Sequence, residues 1–485
     1  MTITARIDDT DVATAVLVLS GPGARPTAVT LEGRRARVDG ALTGRGVTWT
    51  ARLPLAVSRW GGPRLPLPSG EYRLRVTGDG GAEAPVEATI GETMTSTVRV
   101  SLHDGMLTVR PPIDPAYDSG EGQAALERRY ATRPGGLENA VFFESFYGRN
   151  ASCNPLAIDR EIARLAPEVT RYWSVVDLSV AVPEGAVAVV DGSPDWWRAR
   201  GASRLLVVND WLRRRFARRR GQVVIQTWHG TPLKRLALHR PGFDPRRMAA
   251  VVKESRRWNV LLAQNAYAAR ILGKAYAFLT RPVWVEGYPR NDVLVHGDGS
   301  ATRAALGIDP DERVILYAPT WRDDRAEIVD FLDPVALAAD VDAVVLVRGH
   351  SRTLEPGRDA RGPRVIDVTG FPDTARLLLA ADALITDYSS VMFDFSVTSK
   401  PMYFFVPDIE HYRGELRGFY FDLAAHAPGP VVRTHDDLVA ALRAHDAAPF
   451  AAKYAEWRAK FNARDDGHAA ERVVARIFDQ GFLER

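Results

Sequence analysis

The sequence of 485 residues contains a single cysteine. That lone thiol, Cys153, excludes an intramolecular disulfide framework and a cysteine-based zinc site. Lysine is scarce. The 63 basic residues include only Lys234, Lys253, Lys274, Lys400, Lys453 and Lys460, and the rest are arginine. A GC-rich genome produces such a bias, and arginine is also the better fork for phosphate. A net charge of either sign is nearly absent. With 60 acidic residues the formal balance is +3, which argues against a protein that coats nucleic acid. Long apolar runs are missing as well. Ala15–Leu19 is too short for a signal-peptide core, and no run approaches the roughly 18 apolar residues of a membrane span. These absences lead to the expectation of a cytoplasmic protein with at most peripheral membrane contact. No Gly-x-x-x-x-Gly-Lys-[Ser/Thr] and no complete Gly-x-Gly-x-x-Gly occurs, so ATPase and standard dehydrogenase readings lose their main support.

What is present is ordinary for a globular chain: 46% hydrophobic and 25% charged residues. At about 100–200 residues per domain, the length suggests three domains. Residues 1–112 carry short alternating segments separated by turn signals such as Gly21-Pro-Gly, Asp39-Gly and Gly61-Gly-Pro. That spacing predicts a small all-β, sandwich-like accessory domain. Residues 113–136, rich in Pro and Gly, read as a linker. Beyond them, apolar runs of three to six residues alternate with amphipathic segments, the pattern of repeated βα units. Two Rossmann-like domains are expected, 137–297 and 298–485, the second ending in a terminal helix broken near Asp465-Asp-Gly.

Several predicted strands run into polar or glycine-bearing loops: Glu144-Ser-Phe-Tyr-Gly, Thr227-Trp-His-Gly-Thr-Pro-Leu-Lys, Glu286-Gly-Tyr-Pro-Arg-Asn, Ala318-Pro-Thr-Trp-Arg, Arg348-Gly-His-Ser-Arg and Asp387-Tyr-Ser-Ser. Open α/β sheets bind ligands beyond the carboxyl ends of their strands, so two facing domains would line one cleft with all six loops. In Thr386-Asp-Tyr-Ser-Ser a helix is expected to start at Val391, offering free N–H groups and the Ser389 and Ser390 hydroxyls to a phosphate. Simple capping by Ser390 is the plainer alternative. His229, at a strand end before Gly230, could take a proton from a substrate hydroxyl. A lone histidine is more often structural, but His350 repeats the arrangement between Arg348 and Arg352. The run Arg213, Arg214, Arg215, Arg218, Arg219 and Arg220 could dock on anionic lipid. A nucleic-acid patch or a solvated helix face accounts for it equally well. The adjacent Asp323-Asp324 pair makes a poor metal clamp, because neighbouring side chains diverge.

These motifs carry a resemblance. Gln226-Thr-Trp-His-Gly-Thr-Pro-Leu-Lys, Gly287-Tyr-Pro-Arg-Asn-Asp, Tyr317-Ala-Pro-Thr-Trp-Arg and Ala381-Asp-Ala-Leu-Ile-Thr-Asp-Tyr-Ser-Ser-Val-Met-Phe-Asp resemble the CDP-glycerol glycerophosphotransferase family of teichoic acid polymerases and primases. Phe142-Phe-Glu-Ser-Phe-Tyr-Gly with Asn154-Pro, and Arg417-Gly-Phe-Tyr-Phe-Asp with Pro428-Gly-Pro, match too. The resemblance runs from about Ala140 to Phe478 and leaves the first 112 residues outside. It implies a GT-B fold, two Rossmann-like domains facing a cleft, with the nucleotide held mainly by the second. It implies transfer of glycerol phosphate from CDP-glycerol to a hydroxyl of a growing polymer or lipid-linked primer, with release of CMP. His229 then matches the family's Trp-His-Gly histidine, the candidate base, and His350 a second catalytic histidine. Thr320, Arg322, Arg348, Arg352, Thr386, Asp387, Ser389 and Ser390 become candidate donor contacts. Glu144, Ser145, Gly230, Thr231, Lys234 and Arg290 become candidates for the acceptor side or the cleft. The arginine run from Arg213 to Arg220 is the membrane candidate, no nucleic-acid partner is expected, and a divalent cation such as Mg2+ stays open as a helper. CDP-ribitol or another polyol or sugar phosphate is the near alternative. A GT-B nucleotide-sugar glycosyltransferase or epimerase, or a non-catalytic polymer-binding protein, would be of another class.

Overall fold

The computed structural model describes residues 3–11, 14–44, 47–131, 135–214, 216–320, 331–349, 362–409 and 418–485. The N-terminal unit consists of two antiparallel sheets. One orders Thr4–Asp8, Val16–Pro22, Thr48–Pro54 and Ala41–Thr43. The other runs Ile90–Met94, Arg99–His103, Met106–Arg110, Gly70–Thr77, Ala28–Gly33 and Arg37–Asp39. Alternation builds the core: Trp49, Ala51 and Leu53 turn inward along Thr48–Pro54 while the residues between them face out. They meet Leu31, Leu74 and Leu107 of the second sheet in one cluster. A separate hairpin pairs Ala56–Ser58 with Arg64–Pro66.

Residues 113–136 are more than a linker. Gly120–Ala131 is helical, and Leu126 and Tyr130, one turn apart, are buried in the core of the following unit. Two apolar residues make a narrow stripe, which the surrounding Pro and Gly obscure in the sequence.

The second unit is a parallel sheet of seven strands. In chain order they are Glu138–Glu144, Thr170–Val175, Val187–Val190, Ser203–Val208, Val223–Gln226, Val260–Ala263 and Val283–Val285. In space the order is third, second, first, fourth, fifth, sixth, seventh. Thr170–Val175 escapes a search for apolar runs because it carries Arg171 and Ser174. Both are buried, and Arg171 is neutralised there by Asp159 at 2.9 Å. The third unit repeats the order with Val314–Ala318, Val344–Val347, Val365–Asp367, Ala383–Thr386, Met402–Phe405 and Val431–Val432. In both sheets the first strand lies beside the fourth, the point where connections diverge and a crevice opens.

The end of the chain crosses back. Ala451–Phe461 packs on the third unit through Trp457 and Phe461. Ala469–Asp479 buries Val473, Val474 and Ile477 against Val141, Phe143 and Ile162 of the second unit. The expected assignment of the whole terminal segment to the second Rossmann-like domain is corrected accordingly. Asp465, at the break, accepts hydrogen bonds from Gln264 and from the Tyr288 backbone, so the chain is tied to the second unit before the last helix starts. The carboxyl ends of both parallel sheets, together with one face of the N-terminal unit, line a single cavity of about 2300 Å³.

Candidate active site

His229 follows strand Val223–Gln226 and lines the cavity. Trp228 before it holds a left-handed backbone with φ of 54°, and the two rings stack with centroids 4.9 Å apart. A non-glycine residue keeps that conformation only where its surroundings impose it. Here Gln226 does so, its side chain accepting the Trp228 N–H at 2.9 Å. His229 Nδ1 lies 2.6 Å from the Asn209 carbonyl at the end of Ser203–Val208. A carbonyl can only accept, so Nδ1 carries a proton, and in the neutral ring Nε2 holds the lone pair. Asn209 is itself held, its Oδ1 accepting the Phe146 N–H at 2.8 Å. Phe146 and Tyr147 both have positive φ, and the Tyr147 hydroxyl donates to Asp210. Asn209, Trp228 and Tyr147 carry no role assigned from the sequence, although Trp228 and Tyr147 stand inside the Trp-His-Gly and Ser-Phe-Tyr-Gly motifs; for Asn209 the signal is its place after a strand.

Gly230 explains itself by contact with the third unit. A Cβ there would sit 2.5 Å from Ser390 Oγ and 2.9 Å from Ser390 Cβ. The missing side chain lets the Trp-His-Gly loop and the Ser389-Ser390 loop touch. Gly230→Ala is expected to cost about 1–3 kcal/mol of stability by overpacking. Urea denaturation reads this, and an unchanged midpoint would mean that the loops part freely.

Arg290 locks the same junction. Its guanidinium forks onto Asp394, with Nη2 2.8 Å from Oδ2 and Nε 3.1 Å from Oδ1. Its Nη1 donates to the His229 carbonyl at 3.0 Å, and its backbone N–H donates to Asn154 Oδ1. Asn154 Nδ2 in turn donates to the carbonyls of Thr227 and Trp228. Burial pushes Arg290 down, but the Asp394 charge outweighs it and the guanidinium ends above its ordinary value. Arg290 thus positions the His229 loop and is not free for an acceptor. Asp394, its partner across the units, closes the Ser-Ser-Val-Met-Phe-Asp motif, but the sequence assigns it no role because it stands in a short apolar helix, Val391–Phe395.

In the third unit the crevice is closed by Asp387, whose carboxylate accepts the Thr320 N–H at 2.9 Å, bridging the first and fourth strands. Thr386 Oγ1 donates to the Ala318 carbonyl at 2.8 Å. Both side chains are committed to the loop and hold it rather than face a ligand. Ser390 makes no cap hydrogen bond, so the capping alternative is not what the structure contains. Ser389 and Ser390 line the cavity with Thr320 and Arg348. Arg348 Nη1 donates to the carbonyls of Val368 and Phe371. Burial pushes its guanidinium down to about 10, which leaves it charged at neutral pH.

The remaining candidates separate. Glu144 is buried on Ser174, its carboxyl pushed up by burial, and does not line the cavity. Ser145 is buried too and donates to the Ser152 carbonyl. Ser145 Oγ accepts from Asn209 Nδ2 at 3.3 Å, and the side chains of Glu144 and Ser145 both turn into the unit and not toward the cleft. Thr231 lines the cavity but donates to Gln264, and Lys234, whose backbone forms an antiparallel bridge with Phe419, lines it as well. The described residues of the arginine run are not helical. Arg213 stands over the Tyr147 ring at 4.1 Å and lines the cavity. Arg214 pairs with Asp191, Arg218 donates to Asn259, and Arg219 donates to the Gly201 carbonyl. Arg220 is exposed, while Arg215, Arg322, His350 and Arg352 lie outside the described residues.

A family model described as CDP-glycerol:poly(glycerophosphate) glycerophosphotransferase matches residues 129–479. The chain belongs to this family. It is 36% identical over 364 residues to the teichoic acid poly(glycerol phosphate) polymerase of Bacillus subtilis strain 168, covering 70% of this chain and 48% of that protein. The chain therefore spans about half the length of that relative. It is 34% identical over 383 residues to the teichoic acid glycerol-phosphate transferase of Staphylococcus aureus strain NCTC 8325 / PS 47, covering 70% of this chain and 93% of the other. Among solved structures, the wall teichoic acid polymerase TagF in a histidine-to-asparagine form soaked with CDPG aligns with a TM-score of 0.68 at 30% identity, over 74% of this chain and 94% of the other.

Proposed function

We propose that this chain transfers glycerol phosphate from CDP-glycerol to a hydroxyl of a teichoic-acid-like polymer or lipid-linked primer, with release of CMP. The observation that carries this is the His229 ring, whose Nε2 is left free by the Asn209 contact, in a cavity shared with the Ser389-Ser390 loop. The acceptor oxygen attacks the glycerol-bearing phosphorus, its proton passes to His229 Nε2, and the bond to the CMP oxygen breaks. CMP leaves as an anion and needs no proton. Such transfers depend on positioning and on charge placed around phosphate oxygens. Arg348, Ser389 and Ser390 supply donors on the nucleotide side, with His350, Arg322 and Arg352 as further sequence candidates. The two parallel units fit a GT-B arrangement in which the third unit holds the nucleotide. Among the described residues no cluster of three or more His, Cys, Asp or Glu side chains could hold a metal ion, and no step above is routed through one. Among the described residues no helix is long and apolar enough to cross a membrane, so a lipid-linked acceptor would be met at the membrane surface.

The test is CMP release from CDP-glycerol, with the acceptor free or on anionic vesicles and with or without Mg2+. CDP-ribitol and UDP-sugars run in parallel. Turnover of CDP-glycerol alone supports the reading, and turnover of UDP-sugars alone removes it.

A further inference from the structure

The cavity is larger than a nucleotide site requires. Small-ligand pockets measure about 300–1,000 Å³, against about 2300 Å³ here. Much of the excess is walled by the N-terminal unit, which lies outside residues 129–479 of the family match. That wall contributes Arg34, Arg35, Arg37, Arg59, Arg73 and Arg75, against Glu32 and Glu71. Three of the six arginines are neutralised. Arg37 and Arg75 pair with Glu32, and Arg35 reaches Asp177 of the second unit at 3.3 Å. Arg34, Arg59 and Arg73 make no ion pair among the described residues. Arg34 and Arg73 are exposed, while Arg59 is half-buried beside Arg35, and burial pushes its guanidinium down. An uncompensated guanidinium that is partly withdrawn from water favours an anion arriving from solution.

This wall is anchored to both parallel units. The Ser69 N–H donates to Asp177 at 2.8 Å. The tip of the hairpin reaches the third unit, where Trp60 packs edge-on against Phe371 with centroids 5.6 Å apart. Arg59 and Trp60 lie over Gly370, and Gly61 faces Ala305. Phe371 is the residue whose carbonyl Arg348 also holds. The arginines therefore continue the cleft outward from the candidate phosphate site.

We propose that the N-terminal unit is an acceptor-binding module whose unpaired Arg34, Arg59 and Arg73 hold the phosphodiester backbone of an anionic polymer as it enters the cleft. The assignment rests on the proposed transfer for the identity of the polymer, while the wall's own chemistry calls for a chain of repeated phosphates. Guanidinium contacts along such a chain add with its length and weaken with salt. A short acceptor would reach only the His229 end.

The test is binding of fluorescent poly(glycerol phosphate) oligomers, short and long, followed by anisotropy at two salt concentrations. The wild-type chain should bind the long oligomer more tightly, and most so at low salt. R34Q/R73Q should weaken long-oligomer binding at least about tenfold, the loss of two charge-assisted contacts, and R59Q, made separately, should weaken it too. CDP-glycerol affinity, measured by calorimetry, should be retained in both. R25Q/R246Q removes the same charge from exposed positions away from the cavity and should bind like wild type. Wild-type affinity in R34Q/R73Q, or an equal loss in R25Q/R246Q, overturns the proposal. Tighter binding of a single-stranded DNA of equal charge reassigns the wall away from this polymer and also overturns it. The binding readout needs no turnover. Failure of the wall thus shows as length-independent binding, and failure of the proposed reaction as absent CMP release.

Discussion

Replacing His229 by alanine should cut glycerol phosphate transfer by about 10²–10⁴-fold, the usual contribution of a positioned general base. The expectation rests on geometry. The Asn209 carbonyl, 2.6 Å from Nδ1, fixes which nitrogen carries the proton, and the stacked Trp228 fixes the ring plane. Nε2 is then the nitrogen available to the acceptor hydroxyl. In the alanine variant the affinity for CDP-glycerol should stay within a few-fold, and added imidazole should restore part of the rate. A His229→Ala protein that turns over at the wild-type rate would remove His229 from the reaction.

The second large effect is expected at the Arg290–Asp394 pair. Its side chains are 13% and 9% exposed, so removing one partner strands the other's charge in a poorly solvated place. Asp394→Asn should destabilise the protein by about 3–5 kcal/mol, the range for a broken buried pair. Arg290→Lys should also fail, since an ammonium cannot reproduce the fork that reaches Asp394 and the His229 carbonyl together. The informative variant is the double replacement Arg290→Met with Asp394→Leu. Buried pairs exchanged for apolar side chains of similar size often keep their stability. Stability should therefore recover in urea denaturation while transfer stays low, because the His229 carbonyl still lacks its donor. Recovery of both would make the pair structural only.

Much of the site is legible in the sequence. Apolar runs located most strands of both parallel sheets, and loops at their ends named His229, Gly230, Arg290, Thr320, Arg348, Ser389 and Ser390, all of which line the cavity. Other residues depart from this pattern, because a linear sequence does not record the direction of a side chain. Glu144 and Ser145 share a loop with cleft residues yet turn into the protein. Thr386 and Asp387 spend their hydrogen bonds on the neighbouring strand. Arg213 looked like part of a surface charge run, but an irregular backbone lays it over Tyr147 inside the cleft.

By itself the sequence determined the class of each unit, because strand and helix periods are local properties of side-chain spacing. It determined the Trp-His-Gly loop and the family as well, since those motifs are contiguous. Only the tertiary structure decided the state of the His229 ring, because the partner that sets its tautomer is a backbone carbonyl, which no side-chain pattern encodes. It alone paired Arg290 with Asp394, 104 positions apart in the chain. It alone brought the first 112 residues to the cleft. That contact is made by a hairpin tip and a few surface arginines whose meaning depends on what stands opposite them.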